Sequence, residues 1–290
     1  MSDPPPHAAA KDSVLGSWIG EYFADRVLGE GGMGKVYRAT GRDGSRVALK
    51  VVKKQYAQHE SFRRRFYREA RVAQTVKHPN VVPVFSLGEH LGLPYMVQGY
   101  VDGPSLAETL RRDGPLDVAR SMRICRDVAG GLDALQGAGM IHRDIKPGNV
   151  LLDRHGRAYV TDFGLAKDPH GSVLTLPGRA IGSADYMAPE QIRGEPVSAA
   201  TDIYALGCMI YECLCGRPPF SGVAGMRLMW AHLHDAPPDP ERLRGDLPAG
   251  FGSTLLLALE KDWHRRPTTA GEYARMLANS AHLDLDATGS

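Results

Sequence analysis

With 290 residues, 43% of them hydrophobic and 23% charged, the chain has the composition of a folded protein with one large core or two smaller ones, and disorder is excluded for most of it. Thirty-five Lys and Arg against 33 Asp and Glu leave a formal charge of +2, too balanced for a nucleic-acid-binding or membrane-surface protein. The four cysteines (Cys125, Cys208, Cys213, Cys215) form no CxxC pair, and no stretch approaches the ~20 apolar residues of a membrane span, so buried thiols and a cytoplasmic location are expected.

Residues 1–17 carry Pro4-Pro5-Pro6 and then Ala and polar residues without periodicity, the pattern of a disordered leader. Stretches rich in Val, Leu and Tyr around 24–28, 35–39 and 46–52 are separated by glycine clusters and predict antiparallel strands, with Gly41-Arg42-Asp43-Gly44 as the clearest turn. Between the first two lies Gly29-Glu30-Gly31-Gly32-Met33-Gly34-Lys35-Val36, whose glycines permit positive φ and let backbone N–H groups approach phosphate oxygens. The same residues satisfy most of a GxxxxGK[ST] P-loop. Val36, however, offers no hydroxyl to a metal, and Val36-Tyr37-Arg38-Ala39 continues as a strand where a P-loop needs a helix. Taken alone, the loop also reads as an ordinary glycine-rich hairpin.

A helix is predicted over Glu60 to Val76, with Phe62, Phe66, Ala70 and Ala73 on one face and Glu69 near it. Its basic run, Arg63-Arg64-Arg65 with Arg68 and Arg71, reads as a solvated face and not as a nucleic-acid patch. After His78-Pro79-Asn80, two more strands are expected near 81–88 and 93–98. The apolar period then changes from 2 to 3.6, predicting helices over 105–112 and 117–138. Pro147 bars helix in the loop from His142 to Asn149, and Val150-Leu151-Leu152 with Ala158-Tyr159-Val160 predict a small hairpin. A long apolar helix opens near Asp202, and residues 281–290 read as a frayed tail. The three late cysteines with His232 and His234 match no zinc spacing and are read as core residues.

The chemistry concentrates between Met140 and Gly164. Asp144 can accept a proton from a hydroxyl, Lys146 can neutralise charge on a migrating phosphoryl group, and Asn149 with Asp162 can offer oxygen to Mg2+. His142-Arg143-Asp144 with Asn149 five residues on resembles the catalytic loop of the protein kinase family, and Asp162-Phe163-Gly164 resembles its metal-binding turn. The glycine-rich loop, Val47-Ala48-Leu49-Lys50, Glu69 and Ala188-Pro189-Glu190 supply the remaining family motifs in the family's order. Over about residues 20–279 the chain most resembles the bacterial Hanks-type, receptor-like serine/threonine kinases.

That resemblance implies an α+β, bilobal fold: a five-stranded antiparallel small lobe with one main helix over 18–97, a hinge over 98–103, and a larger, mainly helical lobe over 104–280. It implies ATP bound under Leu28, Gly29, Gly31, Gly34 and Val36, with Ala48 and Leu151 on either side of the adenine. The Gly99 carbonyl and Val101 N–H would take the adenine edge, and Lys50, positioned by Glu69, would take the α- and β-phosphates. Asn149 and Asp162 would hold Mg2+, with Mn2+ as a substitute. Lysine at 146 is the residue that accompanies serine and threonine acceptors in the family, and Ser183 sits where a hydroxyl braces Asp144 and Lys146. Thr175 is the candidate activating phosphosite, answered by Arg143; Pro177 stands where many bacterial members carry a second threonine.

The resemblance further implies that Glu190 and Arg266 form a buried structural pair, that Asp202 accepts backbone hydrogen bonds from the His142 turn, and that His142 packs on Phe163. Expected partners are protein substrates and, by family analogy, a second copy bound through the small lobe. Family members often continue into a linker, a span and an outer sensor, so a longer, membrane-anchored parent is compatible with this reading. Two other readings use the same residues: a nucleotide-binding scaffold without turnover, and a small-molecule kinase. The Ala188-Pro189-Glu190 segment favours a peptide platform over the latter.

Overall fold

The run Val47-Ala48-Leu49-Lys50-Val51-Val52 is buried at every position except Lys50, as a strand with neighbours on both sides requires. In the computed structural model, which describes residues 12–163 and 184–284, it forms the centre of an antiparallel sheet. The strands are β1 (Trp18–Ile19), β2 (Tyr22–Glu30), β3 (Gly34–Gly41), β4 (Arg46–Val52), β5 (Val84–His90) and β6 (Leu93–Gly99), in the order β1-β2-β3-β4-β6-β5. The expected five strands are therefore joined by a sixth, the two-residue edge strand β1, too short to carry a sequence period. At the β3–β4 turn Gly44 takes φ 82°, and Asp43 accepts the Ser45 N–H at 2.9 Å.

Backbone contacts divide the chain into two compact units. The first takes in the described residues up to Arg63 together with Phe85–Tyr100, and the second Arg64–Val84 with the described residues from Val101 onward. Arg64–Val84, read from sequence with the small lobe, thus falls in the second unit, and Gln98 and Gly99, read as hinge, are the last residues of β6. In the first unit Val14, Ile19, Ala24, Tyr37, Ala39, Val47, Leu49, Val51 and Val97 form one core cluster. Its strand members sit at alternate positions, so the residues between them face the other side of the sheet. Val14 lies within the leader expected over 1–17, yet it is 4% exposed, while Ser13, Leu15 and Gly16 beside it are exposed.

A single-turn helix α1 (Lys54–Ala57) and the longer α2 (Glu60–Thr75) follow β4, the latter with Phe62, Phe66, Ala70 and Ala73 buried at the expected spacing. The second unit is built on α4 (Val118–Gly137) and α6 (Ala199–Cys215), preceded by α3 (Leu106–Asp113). Around them lie the hairpin β7 (Val150–Leu152) and β8 (Ala158–Val160), α5 (Pro189–Arg193), α7 (Met226–His234), α8 (Pro240–Leu243), α9 (Phe251–Leu257) and α10 (Ala270–Ser280). The starts of α3, α4 and α10 are capped by side chains: Ser105 accepts from Glu108 N–H, Asp117 from Arg120 N–H, and Thr269 from Glu272 N–H. Asp127, buried in α4, accepts the Ala158 N–H at 3.0 Å and so fixes the hairpin to that helix. Cys125, Cys208 and Cys213 are buried free thiols, and burial pushes each well above the usual thiol range. No helix of the described residues is long and apolar enough to cross a membrane.

Candidate active site

Antiparallel pairing sets the first group of predicted residues. Val36 pairs with Lys50, Ala48 with Gln98, and Lys50 with Met96, so these side chains share the face of the sheet opposite the core cluster. Met96 is fully buried and Gln98 nearly so. The turn between β2 and β3 is closed by a hydrogen bond from the Gly31 N–H to the Gly34 carbonyl (2.9 Å), and the Lys53 N–H donates to the Met33 carbonyl (2.9 Å). Gly29 and Gly31 are exposed in the turn, as is Leu28 before it. Gly29, Gly31 and Gly34 do not use the positive φ that glycine permits. The requirement at Gly34 is closeness instead: a Cβ there would lie 2.6 Å from the Val51 carbonyl oxygen.

In the second unit, the segment from His142 to Asn149 is held by contacts from four directions. The buried Asp202 carboxylate, in the first turn of α6, accepts the N–H of His142 (2.7 Å) and of Arg143 (2.8 Å). Arg143 is thereby kept at φ 65°, a left-handed conformation that a side chain makes costly, and Asp162 takes φ 59°. His142 accepts the Asp144 N–H on Nδ1 (3.3 Å), so its Nε2–H donates to the Thr161 carbonyl (3.0 Å). Its ring meets Phe163 edge-on, with centroids 6.3 Å apart. Gln191, at the start of α5, donates from Nε2 to the Arg143 carbonyl at 3.1 Å.

Three predicted residues converge here. Lys146 Nζ lies 2.9 Å from Asp144 Oδ2, and Asn149 donates both amide hydrogens to Asp144, one to the carbonyl (2.8 Å) and one to Oδ2 (3.0 Å). Asn149 in turn receives the Thr161 N–H on its own carbonyl (3.0 Å), which ties the loop to the residue before Asp162. With its amide nitrogen committed to Asp144, Asn149 has Oδ1 left as the atom that could face an oxygen-seeking cation such as Mg2+. Leu151, in β7, bridges to Ser105.

Glu69 is half-buried, and its Oε2 has no hydrogen-bond partner. Burial raises its carboxyl above the usual range, opposed by the charges of Arg143, Arg65 and Arg68. Lys50 belongs to the first unit and Glu69 to the second. Thr175 and Ser183 lie outside the described residues.

Behind the loop, Arg266 makes a two-pronged contact with Glu190 (2.8 and 2.9 Å), both side chains almost fully buried, and Thr201 donates to Glu190 Oε1 at 2.8 Å. Burial would raise the Glu190 carboxyl; the Arg266 and Thr201 hydrogen bonds outweigh it and hold the group below its ordinary value. Two groups that position this centre, Gln191 and Asp127, were given no role from sequence. Each acts by a contact to backbone 48 or 31 residues away, which leaves no spacing signal.

The protein kinase domain model matches residues 22–274. Serine/threonine-protein kinase PknH of Mycobacterium tuberculosis is 38% identical over 279 residues, covering 96% of this chain and 44% of PknH. PknD of the same organism is 40% identical over 262 residues, covering 90% of this chain and 40% of PknD. The chain thus spans less than half the length of these relatives. The crystal structure of the M. tuberculosis PknI kinase domain matches with a TM-score of 0.75 at 31% identity, covering 92% of this chain and 98% of that one. That of Rad53 1-466 in complex with AMP-PNP matches with a TM-score of 0.72 at 26% identity, covering 89% and 65%. Matched over most of its length by the family model and carrying Asp144, Lys146 and Asn149 of the family's catalytic loop in one hydrogen-bonded cluster, the chain belongs to the protein kinase domain family.

Proposed function

We propose that this chain transfers the γ-phosphoryl group of ATP to serine and threonine hydroxyls of protein substrates. The observation that carries the reading is the grip of Lys146 and Asn149 on Asp144, in a loop held at a strained φ by Asp202. Such a carboxylate is fixed before substrate arrives, which is what a general base needs. Asp144 accepts the proton of the acceptor hydroxyl as its oxygen attacks phosphorus, and the bond to the β-phosphate oxygen breaks. Lys146 neutralises charge on the phosphoryl group in transit.

Lys50 supplies charge to the α- and β-phosphates, and Glu69 keeps the role that the resemblance implies for it. Leu28, Val36, Ala48 and Leu151 are the apolar contacts of the adenine, with the Gly99 carbonyl and Val101 N–H on its edge, and the exposed turn carrying Gly29, Gly31 and Gly34 covers the phosphates. Asn149 and Asp162 hold Mg2+, or Mn2+ in its place; the cation neutralises phosphate charge when bound. Lys146 two residues after Asp144 favours serine and threonine acceptors. Phosphorylation of Thr175 by the chain itself would place a phosphate for Arg143 to bind, with Ser183 bracing Asp144, and two copies would pair through the small lobe.

The test is transfer of label from γ-labelled ATP to a general protein substrate by wild type and by Asp144→Asn. Wild type is expected to label serine and threonine and the variant to lose about 10²–10⁴ of the rate. Equal labelling by both proteins removes the catalytic assignment.

A further inference from the structure

The segment before β1, read from sequence as a disordered leader, is tied through its described residues to the base of the glycine-rich turn. Asp12 Oδ1 accepts the Val14 N–H (3.1 Å), the Leu15 N–H (3.3 Å) and the Tyr37 hydroxyl (2.9 Å), while Oδ2 receives Lys35 Nζ at 2.9 Å. Lys35 and Tyr37 are alternate residues of β3, so both present their side chains to the core side of the sheet, the face on which Val14 is buried. Lys35 is the cross-strand partner of Glu30, and the two residues bracket the turn. Lys35 Nζ lies 3.4 Å from Glu30 Oε2, and Lys53 Nζ lies 2.8 Å from Glu30 Oε1. Asp12, Lys35, Glu30 and Lys53 therefore form one chain of charges across the foot of the turn.

An isolated surface ion pair would contribute little. This one differs in that a single carboxylate takes two backbone N–H groups, a hydroxyl and an ammonium, and is anchored by a core residue two positions on. That combination of partners outweighs the cost of burial and lowers the Asp12 carboxyl to about 2, so it is ionised across the neutral range. The same carboxylate raises Tyr37, after burial, well above the usual phenol range.

We propose that Asp12 is a positioning residue for ATP: by fixing Lys35, and through it Glu30, it holds the turn over residues 29–34 at the height from which its backbone meets the phosphates. The inference rests on the reading of that turn as the cover of the ATP phosphates. Asp12 touches no reacting atom, so its removal acts on nucleotide affinity and leaves the chemical step alone.

The experiment is a double-mutant cycle of Asp12→Asn and Lys35→Met, with KM for ATP and kcat measured at a fixed, saturating protein substrate. Hydrogen exchange of the amides of residues 29–35 is followed in the absence of nucleotide. Each single change is expected to raise KM for ATP by about threefold to tenfold with kcat within about twofold, and the pair to be no worse than the poorer single variant. Exchange in residues 29–35 is expected to quicken while that of β4 and β6 stays at the wild-type rate. An unchanged KM in Asp12→Asn overturns the proposal, as does a shift that persists in full when Lys35 is already Met. Quickened exchange throughout the sheet also overturns it, since Asp12 would then serve stability alone. Wild type that binds no ATP overturns the kinase reading itself; wild type with an ordinary ATP dependence beside an unaffected Asp12→Asn overturns only this inference.

Discussion

Asp202 holds Arg143 in a left-handed conformation, φ 65°, by accepting its backbone N–H at 2.8 Å while the other carboxylate oxygen takes the N–H of His142. The strain costs on the order of 1–3 kcal/mol and persists only because the two hydrogen bonds over-determine the turn. Asp144, the next residue, takes its direction from it. In Asp202→Asn one of the two N–H groups faces an amide NH2 and is left unpaired, a loss of about 1–3 kcal/mol. The expected outcome is a kcat lower by about 10²-fold, as for a misplaced catalytic group, with KM for ATP little changed. Steady-state kinetics on a variant whose folded fraction is checked by circular dichroism decides this; undiminished kcat would show that the turn keeps its shape without the carboxylate.

Asn149 has two duties that a substitution can separate. Its amide nitrogen steadies Asp144, and its side-chain Oδ1 is the atom proposed above to hold the cation. Loss of a partner that merely orients a metal ligand costs about 10–100-fold in metal affinity, so loss of a ligand itself is expected to cost at least that. In Asn149→Ala the Mg2+ concentration for half-maximal activity should therefore rise by about tenfold or more, and kcat should fall as well because Asp144 is loosened. A fall in kcat with the Mg2+ dependence unmoved would assign Asn149 to Asp144 alone.

Gly34 and Gly29 belong to the same motif but meet different surroundings. A Cβ at Gly34 would sit 2.6 Å from the Val51 carbonyl oxygen, a backbone atom fixed by the β3–β4 pairing, whereas a Cβ at Gly29 meets nothing within 4 Å. Gly34→Ala is expected to destabilise the protein by about 1–3 kcal/mol through forced separation of the strands, and Gly29→Ala to leave thermal stability nearly unchanged. Thermal unfolding followed by circular dichroism compares them. Any activity lost in Gly29→Ala then reports on the approach of phosphate and not on folding.

The legible part of the molecule was what spacing can carry. Apolar residues at 62, 66, 70 and 73 predicted the buried face of α2, and the motif residues Asp144, Lys146 and Asn149, singled out from sequence, meet in one hydrogen-bonded loop. What escaped were contacts with no period. Asp12 and Val14 sit in a proline-led, polar stretch whose order comes from one carboxylate and one buried side chain, and β1 is only two residues long. The glycine-rich turn was legible from its composition, but the particular requirement at Gly34 was not. Glycine spacing does not distinguish a left-handed backbone from a close neighbour on the next strand, and here the neighbour decides.

His232 offers a test of the second unit against pH. The ring is fully buried in α7, joined to the Tyr204 hydroxyl through Nδ1 (2.9 Å) and packed edge-on against Phe220. Burial, with the nearby Lys261 charge, lowers it from 6.5 to about 3. Lys261, over the Phe220 and Tyr204 rings, is itself lowered to about 8 by burial and remains charged throughout the acid range. The folded protein thus keeps the imidazole neutral, while the unfolded chain takes up a proton as pH falls below 6.5. The unfolded state binds more protons, so the contribution of this one group is level above about pH 7 and declines between 6.5 and 3, with a slope approaching about 1.4 kcal/mol per pH unit. Glu190, held low, adds to the acid loss below its unfolded value of 4.5, whereas Glu69 and Glu212, held high, act in the opposite sense. Comparison with His232→Gln cancels these shared contributions. The variant is expected to be less stable than wild type at pH 8, where it loses the ring packing, and to close that gap as pH falls to 5. Denaturant unfolding at both values decides it: a gap of constant size would mean that the imidazole is protonated in the folded state.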